Sequence, residues 1–152
     1  MSKVVVQTED FDVSEELRLL CGGRKEIGAT ATFVGLVRDI NLDDHVSGMA
    51  LEHYPGMTEK SLAKIVAEAS ERWEVLDATV IHRVGELMPS DQIVMVAVAS
   101  THRGDSFAAC EFIMDYLKTR APFWKKELLD DGNSRWVDAR ESDDSAAERW
   151  ES

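Results

Sequence analysis

The stretch QIVMVAVAS, Gln92–Ser100, constrains this chain more than any other. Between its two ends it has no polar side chain. Side chains alternate between the two faces of a strand, so a run that is apolar at every position reads as a strand buried on both faces. Such a strand needs cover on each side, and a chain of 152 residues can supply it. At that size roughly two-thirds of the unfolded surface is buried, and one domain is expected.

The rest of the chain provides candidates for that cover. Strands are predicted at Lys3–Gln7, Ile27–Arg38, Met49–Tyr54 and Ala78–Val84, with Gly28 and Gly35 as candidate bulges. Asp12 caps a helix over Val13–Leu20, Glu15 completes a capping-box pattern, and Gly22-Gly23 stops it. Thr58 is the expected N-cap of a helix to Trp73, with Leu62, Ile65, Val66, Ala69 and Trp73 at helical spacing. Asp105 or Ser106 caps a helix to about Thr119, which Ala121-Pro122 ends. The DDGNS turn between Phe123–Leu129 and Arg135–Ala139 predicts a hairpin. Asp39–Gly48 reads as a loop and Gly85–Asp91 as a turn around Pro89. Residues 140–152 form a charged tail, a short helix or partly disordered. Without a regular βαβ repeat, the expectation is a mixed α+β domain over residues 1–152.

Charge and cysteine usage narrow the function. With 17 Lys+Arg against 29 Asp+Glu, the formal net charge of −12 argues against a nucleic-acid binder. It does not bear on small anions, which respond to local charge in a cleft. Cys21 and Cys110 make no CxxC pair; Cys110 reads as a small buried hydrophobe, and a disulfide stays open. His45, His53, His82 and His102 are scattered without metal-ligand spacing, so no metal is expected. Met49, Met57, Met88, Met95 and Met114 read as core filling. With no signal peptide and no membrane span in the sequence, a cytoplasmic protein is expected.

Three clusters are candidates for chemistry. In STHRGDSF, His102 and Arg103 stand between the apolar strand and a helix start, where free N–H groups and the helix dipole suit an anion. The plain alternative is a solvated loop with a capping Asp105. In LKTRAPFWKKEL, Lys118, Arg120, Lys125 and Lys126 concentrate positive charge in an acidic chain. Lys118 also suits a helix C-terminus on dipole grounds alone. Lys125 and Lys126 are adjacent on a strand, so only one of them can face a given pocket. A lysine held beside other cations or partly desolvated can act as base or nucleophile. The third cluster is Arg38 in VGLVRDIN, at the end of a β-rich run.

Five strings go further: LEHYPGMTEK, VIHRVGEL, THRGDSF, IMDYLKTRAPFWKKE and RWVDARESD. Together they closely resemble the large, catalytic subunits of molybdopterin synthase, the MoaE family, in register from about Phe11 to Trp150. The resemblance implies an α/β hammerhead-like α+β fold with an added antiparallel β subdomain. It implies a sulfurtransferase that converts cyclic pyranopterin monophosphate, its substrate, into molybdopterin, with no bound cofactor. The sulfur donor would be the C-terminal thiocarboxylate of a small ubiquitin-like subunit, whose Gly-Gly tail enters the pocket. The large subunit would form a homodimer within a heterotetramer, without nucleic acid or membrane as partner. Carried over string by string, Lys118 and Lys125 fall at the catalytic lysines. Arg38, His102 and Arg103 fall at pocket positions, and Arg140 at an arginine that reaches the neighbouring subunit. Leu36 stands where the family motif has a basic residue, which puts a role for that position in doubt. The rival readings are a non-catalytic module that docks an acidic tail, and a phosphate-ester hydrolase using His102.

Overall fold

The apolar run is the strand β7 (Gln92–Ser100), and it lies inside a four-stranded sheet. The computed structural model describes residues 2–41, 44–137 and 141–151. The sheet is ordered β1 (Lys3–Gln7), β5 (Asp77–Arg83), β7 and β2 (Ala29–Leu36), with β1 parallel to β5 and the other pairs antiparallel. Val94, Val96 and Val98 face a layer made by α2 (Met57–Arg72) and α3 (Arg103–Arg120), against Leu62, Ile65, Phe112 and Tyr116. Met95, Ala97 and Ala99 face the other way, with Phe11 and with Leu17 and Leu20 of α1 (Val13–Cys21). Cover on both sides is what the sequence required. At about 1.5–3 kcal/mol per fully buried valine side chain, β7 is a principal source of stability.

A second, antiparallel sheet runs β3 (Ile40–Asn41), β4 (Asp44–His53), β8 (Phe123–Leu129), β9 (Ser134–Val137), with the short β6 (Gly85–Leu87) also on β4. This is the added subdomain, and the fold is mixed α+β. A third apolar cluster, Val37, Met49, Leu51, Val84 and Leu87, with Val6, Ile93 and Phe123 against it, joins the two sheets.

Several boundaries differ from expectation for identifiable reasons. Much of Asp39–Gly48 is strand, because the register slips between Val46 and Gly48. The inward positions change parity there, from Val46 to Met49 and Leu51, which hides the alternation. Gly48 has no room for a side chain, since a Cβ would stand 2.9 Å from the Leu87 carbonyl. Asp12 caps α1 by accepting the Glu15 N–H at 3.0 Å, but Glu15 bonds Arg18 at 2.6 and 3.0 Å, so its side chain is engaged away from the cap. The N-cap of α2 is Gly56, at φ 86°, rather than Thr58. Thr58 is buried one residue inside the helix, donating its hydroxyl to the Tyr54 carbonyl at 2.9 Å. The N-cap of α3 is His102; Asp105 accepts the Glu74 N–H at 3.0 Å and Ser106 donates to the Arg103 carbonyl at 2.9 Å.

The tail is more ordered than its composition suggests. Residues Glu141–Glu148 form α4, and Trp150 sets its ring edge-on to Trp73 at 5.4 Å and donates its indole N–H to Asp115 at 2.6 Å. Cys110 is buried, which pushes its thiol up to about 11, and both cysteines are free thiols. Met57 and Met88 are exposed, against the core role expected of them. Among the described residues no helix is long and apolar enough to cross a membrane.

Candidate active site

The basic stretch is a helix end, a turn and a strand. Lys118 lies exposed in the last turn of α3, where a cation is favoured by the helix dipole. Arg120 is engaged elsewhere: it lies over the Tyr116 ring at 3.7 Å and pairs with Glu68 at 3.3 Å. Ala121-Pro122 stops the helix, and the Phe123 N–H returns to the Ala121 carbonyl at 2.9 Å. β8 then pairs with β4, placing Phe123 opposite His53 and Lys125 opposite Leu51. Strand alternation sends Phe123, Lys125 and the buried Glu127 to one face. Trp124 and Lys126 take the other, where Lys126 stands 5.7 Å from the Trp136 ring. Glu127 is held by Arg135 of β9 at 2.9 Å, which ties the hairpin together beside Lys125.

Arg38 belongs to the same end of the molecule. β2 finishes with Leu36 opposite Gln92, at the start of β7. The next residue, Val37, is pinned to the following loop by the Val37 N–H to the Asp91 carbonyl at 3.0 Å, and by the Ser90 N–H to the Val37 carbonyl at 2.8 Å. Val37 is buried in the cluster that holds Leu51 and Phe123, and Arg38 is the exposed residue after it. Lys118 reaches this end too, because α3 runs back along β7 from Ser100 and leads through Ala121-Pro122 to Phe123, whose ring lies on His82, and His82 pairs with Val94 near the start of β7.

His102 and Arg103 do not join them within one chain. They are exposed at the N-terminus of α3, beside Ser100 at the far end of β7. Fifteen residues of helix separate Arg103 from Lys118, roughly 22 Å at the α-helical rise. Arg140 lies outside the described residues. Among those that are described, no group of three His, Cys, Asp or Glu side chains could hold a metal ion.

Two histidines, weighed in the sequence only as metal ligands, also converge here. His82 is buried at 4% exposure and lies flat on Phe123, with ring centroids 3.8 Å apart and planes 19° from parallel. Its Nδ1 is 2.8 Å from the Arg83 carbonyl, so that nitrogen donates. Burial, with smaller contributions from Lys118 and His53, pushes its pKa down to about 4, so the ring is neutral at physiological pH. His53, at the end of β4, places its ring 6.4 Å from Phe123 and its Nδ1 3.2 Å from the Thr58 hydroxyl. The signal in sequence was a histidine at an inward parity of the apolar run ATVIHRV, which metal spacing rules do not detect.

Comparison with known proteins points one way. The family model described as MoaE protein matches residues 6–120. A molybdopterin synthase catalytic subunit from Ralstonia nicotianae is 62% identical over 99% of this chain and 85% of the relative. Its Escherichia coli counterpart is 58% identical over 98% of each chain. Among solved structures, a molybdopterin biosynthesis MoaE protein from Burkholderia ambifaria superposes with a TM-score of 0.85 at 57% identity, covering 100% of this chain and 99% of the other.

Proposed function

The chain belongs to the MoaE protein family, and from that premise we propose that it is the catalytic subunit of a molybdopterin synthase. It adds dithiolene sulfur to a cyclic pyranopterin monophosphate, taking each sulfur from the C-terminal thiocarboxylate of a small ubiquitin-like partner. The observation that supports this reading is the α3–Pro122–β8 turn, with Lys118 on its helix side and Lys125 on its strand side, beside the apolar cluster that holds both Phe123 and Val37, the residue before Arg38.

The substrate's phosphate and the donor's tail are both anions, and a preorganised cationic site suits both. Arg38 holds an anion there, with bidentate geometry available to a guanidinium. Sulfur attacks a carbon of the pyranopterin as a carbon–oxygen bond at that carbon breaks, its oxygen leaving with a proton supplied by the site, and water then cleaves the acyl–sulfur link, returning the partner's tail as a carboxylate. Lys118 and Lys125 move protons and stabilise developing charge in these steps. With about 22 Å of helix between them and Lys118, His102 and Arg103 serve this site from the α3 of a second copy. That fits a homodimer. The whole assembly is then a heterotetramer, and its reactions take place in the cytoplasm.

The rival reading, a module that only docks an acidic tail, differs in one measurable way. For an enzyme, Lys118→Ala leaves partner affinity within about 2-fold while turnover falls by about 100-fold or more, the scale of general acid–base catalysis. For a docking module, activity falls in step with affinity. Turnover without any sulfur donor would instead point to a hydrolase at His102.

A further inference from the structure

Phe123 is the first residue of β8, at the seam between the two sheets. His82 reaches it from β5 in the first sheet and His53 from β4 in the second. We propose that His82 and His53 are positioning residues: they hold the Phe123 ring from both sheets and so fix the turn that joins Lys118 on α3 to Lys125 on β8. This inference rests on the enzyme reading above and goes beyond it, to how the two lysines keep their spacing.

Each imidazole is itself locked. The His82 Nδ1–H is committed to the Arg83 carbonyl at 2.8 Å, which fixes the plane of the ring against Phe123. The Thr58 hydroxyl donates to the Tyr54 carbonyl at 2.9 Å, so toward His53, 3.2 Å away, it accepts, and His53 Nδ1 carries the proton. Tyr54 and Thr58 belong to the start of α2, so that helix also supports the arrangement. Five elements thus meet around one ring: β5, β4, β8, and the adjoining ends of α2 and α3.

The choice of residue type fits a site for anions. A leucine in place of His82 would fill space but would lack a flat face to stack and a donor for the Arg83 carbonyl. A permanent cation would repel Lys118 and compete with it for the substrate. A buried, neutral imidazole gives orientation without adding charge. Phe123 sits two residues from both Ala121 and Lys125, and its N–H closes the turn at 2.9 Å. A shift of its ring therefore moves both lysines relative to each other, and a misplacement near 1 Å can cost about 100-fold in rate.

A double-mutant cycle tests this, using the full-length chain with thiocarboxylated small subunit and pyranopterin monophosphate. His82→Ala and His53→Ala are each expected to lower kcat by about 10–100-fold, with KM within about 3-fold. His82→Phe keeps the stacking face and is expected to recover at least about 3-fold over His82→Ala. In a Lys118→Ala background the histidine substitutions should cost little more, because the spacing they maintain has lost one member. Additive losses in that background, a loss confined to KM, or full activity in both alanine variants would overturn the proposal. If His82→Ala does not fold, His53→Ala decides by the same cycle. No turnover by the native protein would overturn the enzyme reading and this inference with it; turnover with additive losses would overturn this inference alone.

Discussion

Lys125 and Lys126 are adjacent in the chain but leave β8 on opposite faces, and their fates should differ accordingly. Lys126 stands 5.7 Å from an exposed Trp136 ring, a contact that contributes about 0.5–1 kcal/mol. Lys126→Ala is expected to lower stability by that amount and leave turnover within about 2-fold. Lys125→Ala is expected to cut kcat by about 100-fold, measured by steady-state turnover with thiocarboxylated small subunit and pyranopterin monophosphate. Arg38→Ala separates binding from chemistry: KM for the pterin phosphate should rise by about 10-fold or more, the loss of a charge-assisted hydrogen bond, with kcat less affected. The basic string and strand alternation made the two lysines readable from sequence. His82 was not, because its role comes from lying on a ring 41 positions further along the chain.

At the scale of elements, what was legible depended on how local the determining interactions are. The strand β1, the strand β7, the stop at Gly22 and the Pro122 break have the expected bounds, since apolar pattern, left-handed glycine and missing N–H are properties of the residues themselves. The start of β4 was missed because a bulge reversed its parity, and the helix starts at Gly56 and His102 were misplaced by two to four residues. In those helices Thr58, Asp105 and Ser106 spend their polar groups on tertiary or preceding-turn partners that propensity cannot anticipate. Two substitutions test the element account by urea unfolding. Leu62→Ala, in the α2 face buried in the core beside α3, should cost about 2–5 kcal/mol. Asp12→Ala, removing the α1 cap, should cost about 1 kcal/mol.

The molecule as a whole carries a formal charge of −12, and its stability should depend on pH through the joint between its two sheets, where His82 lies buried against Phe123. His82 titrates at about 4 in the folded protein against 6.5 as the ordinary value. Between those values the unfolded chain takes up a proton that the folded one refuses. Stability attributable to this group is therefore fully present above 6.5, falls as pH drops toward 4, and levels off below it, a total of about 3 kcal/mol. Urea unfolding at pH 7.5 and pH 5 should show about 2 kcal/mol of that loss in the native protein and a smaller one in His82→Phe. The distance along α3 also makes a statement about assembly: His102 and Arg103 cannot serve the Lys118 site of their own chain, so a site that uses them is shared between two copies. Arg103→Ala and Lys118→Ala chains, each inactive alone, should then regain partial activity when mixed. The most direct test of the central claim is single-turnover formation of molybdopterin from pyranopterin monophosphate and thiocarboxylated small subunit, with native protein and Lys118→Ala at matched partner occupancy. The account predicts product with the native chain and at least about a 100-fold slower rate with the variant; equal rates at equal occupancy would contradict it.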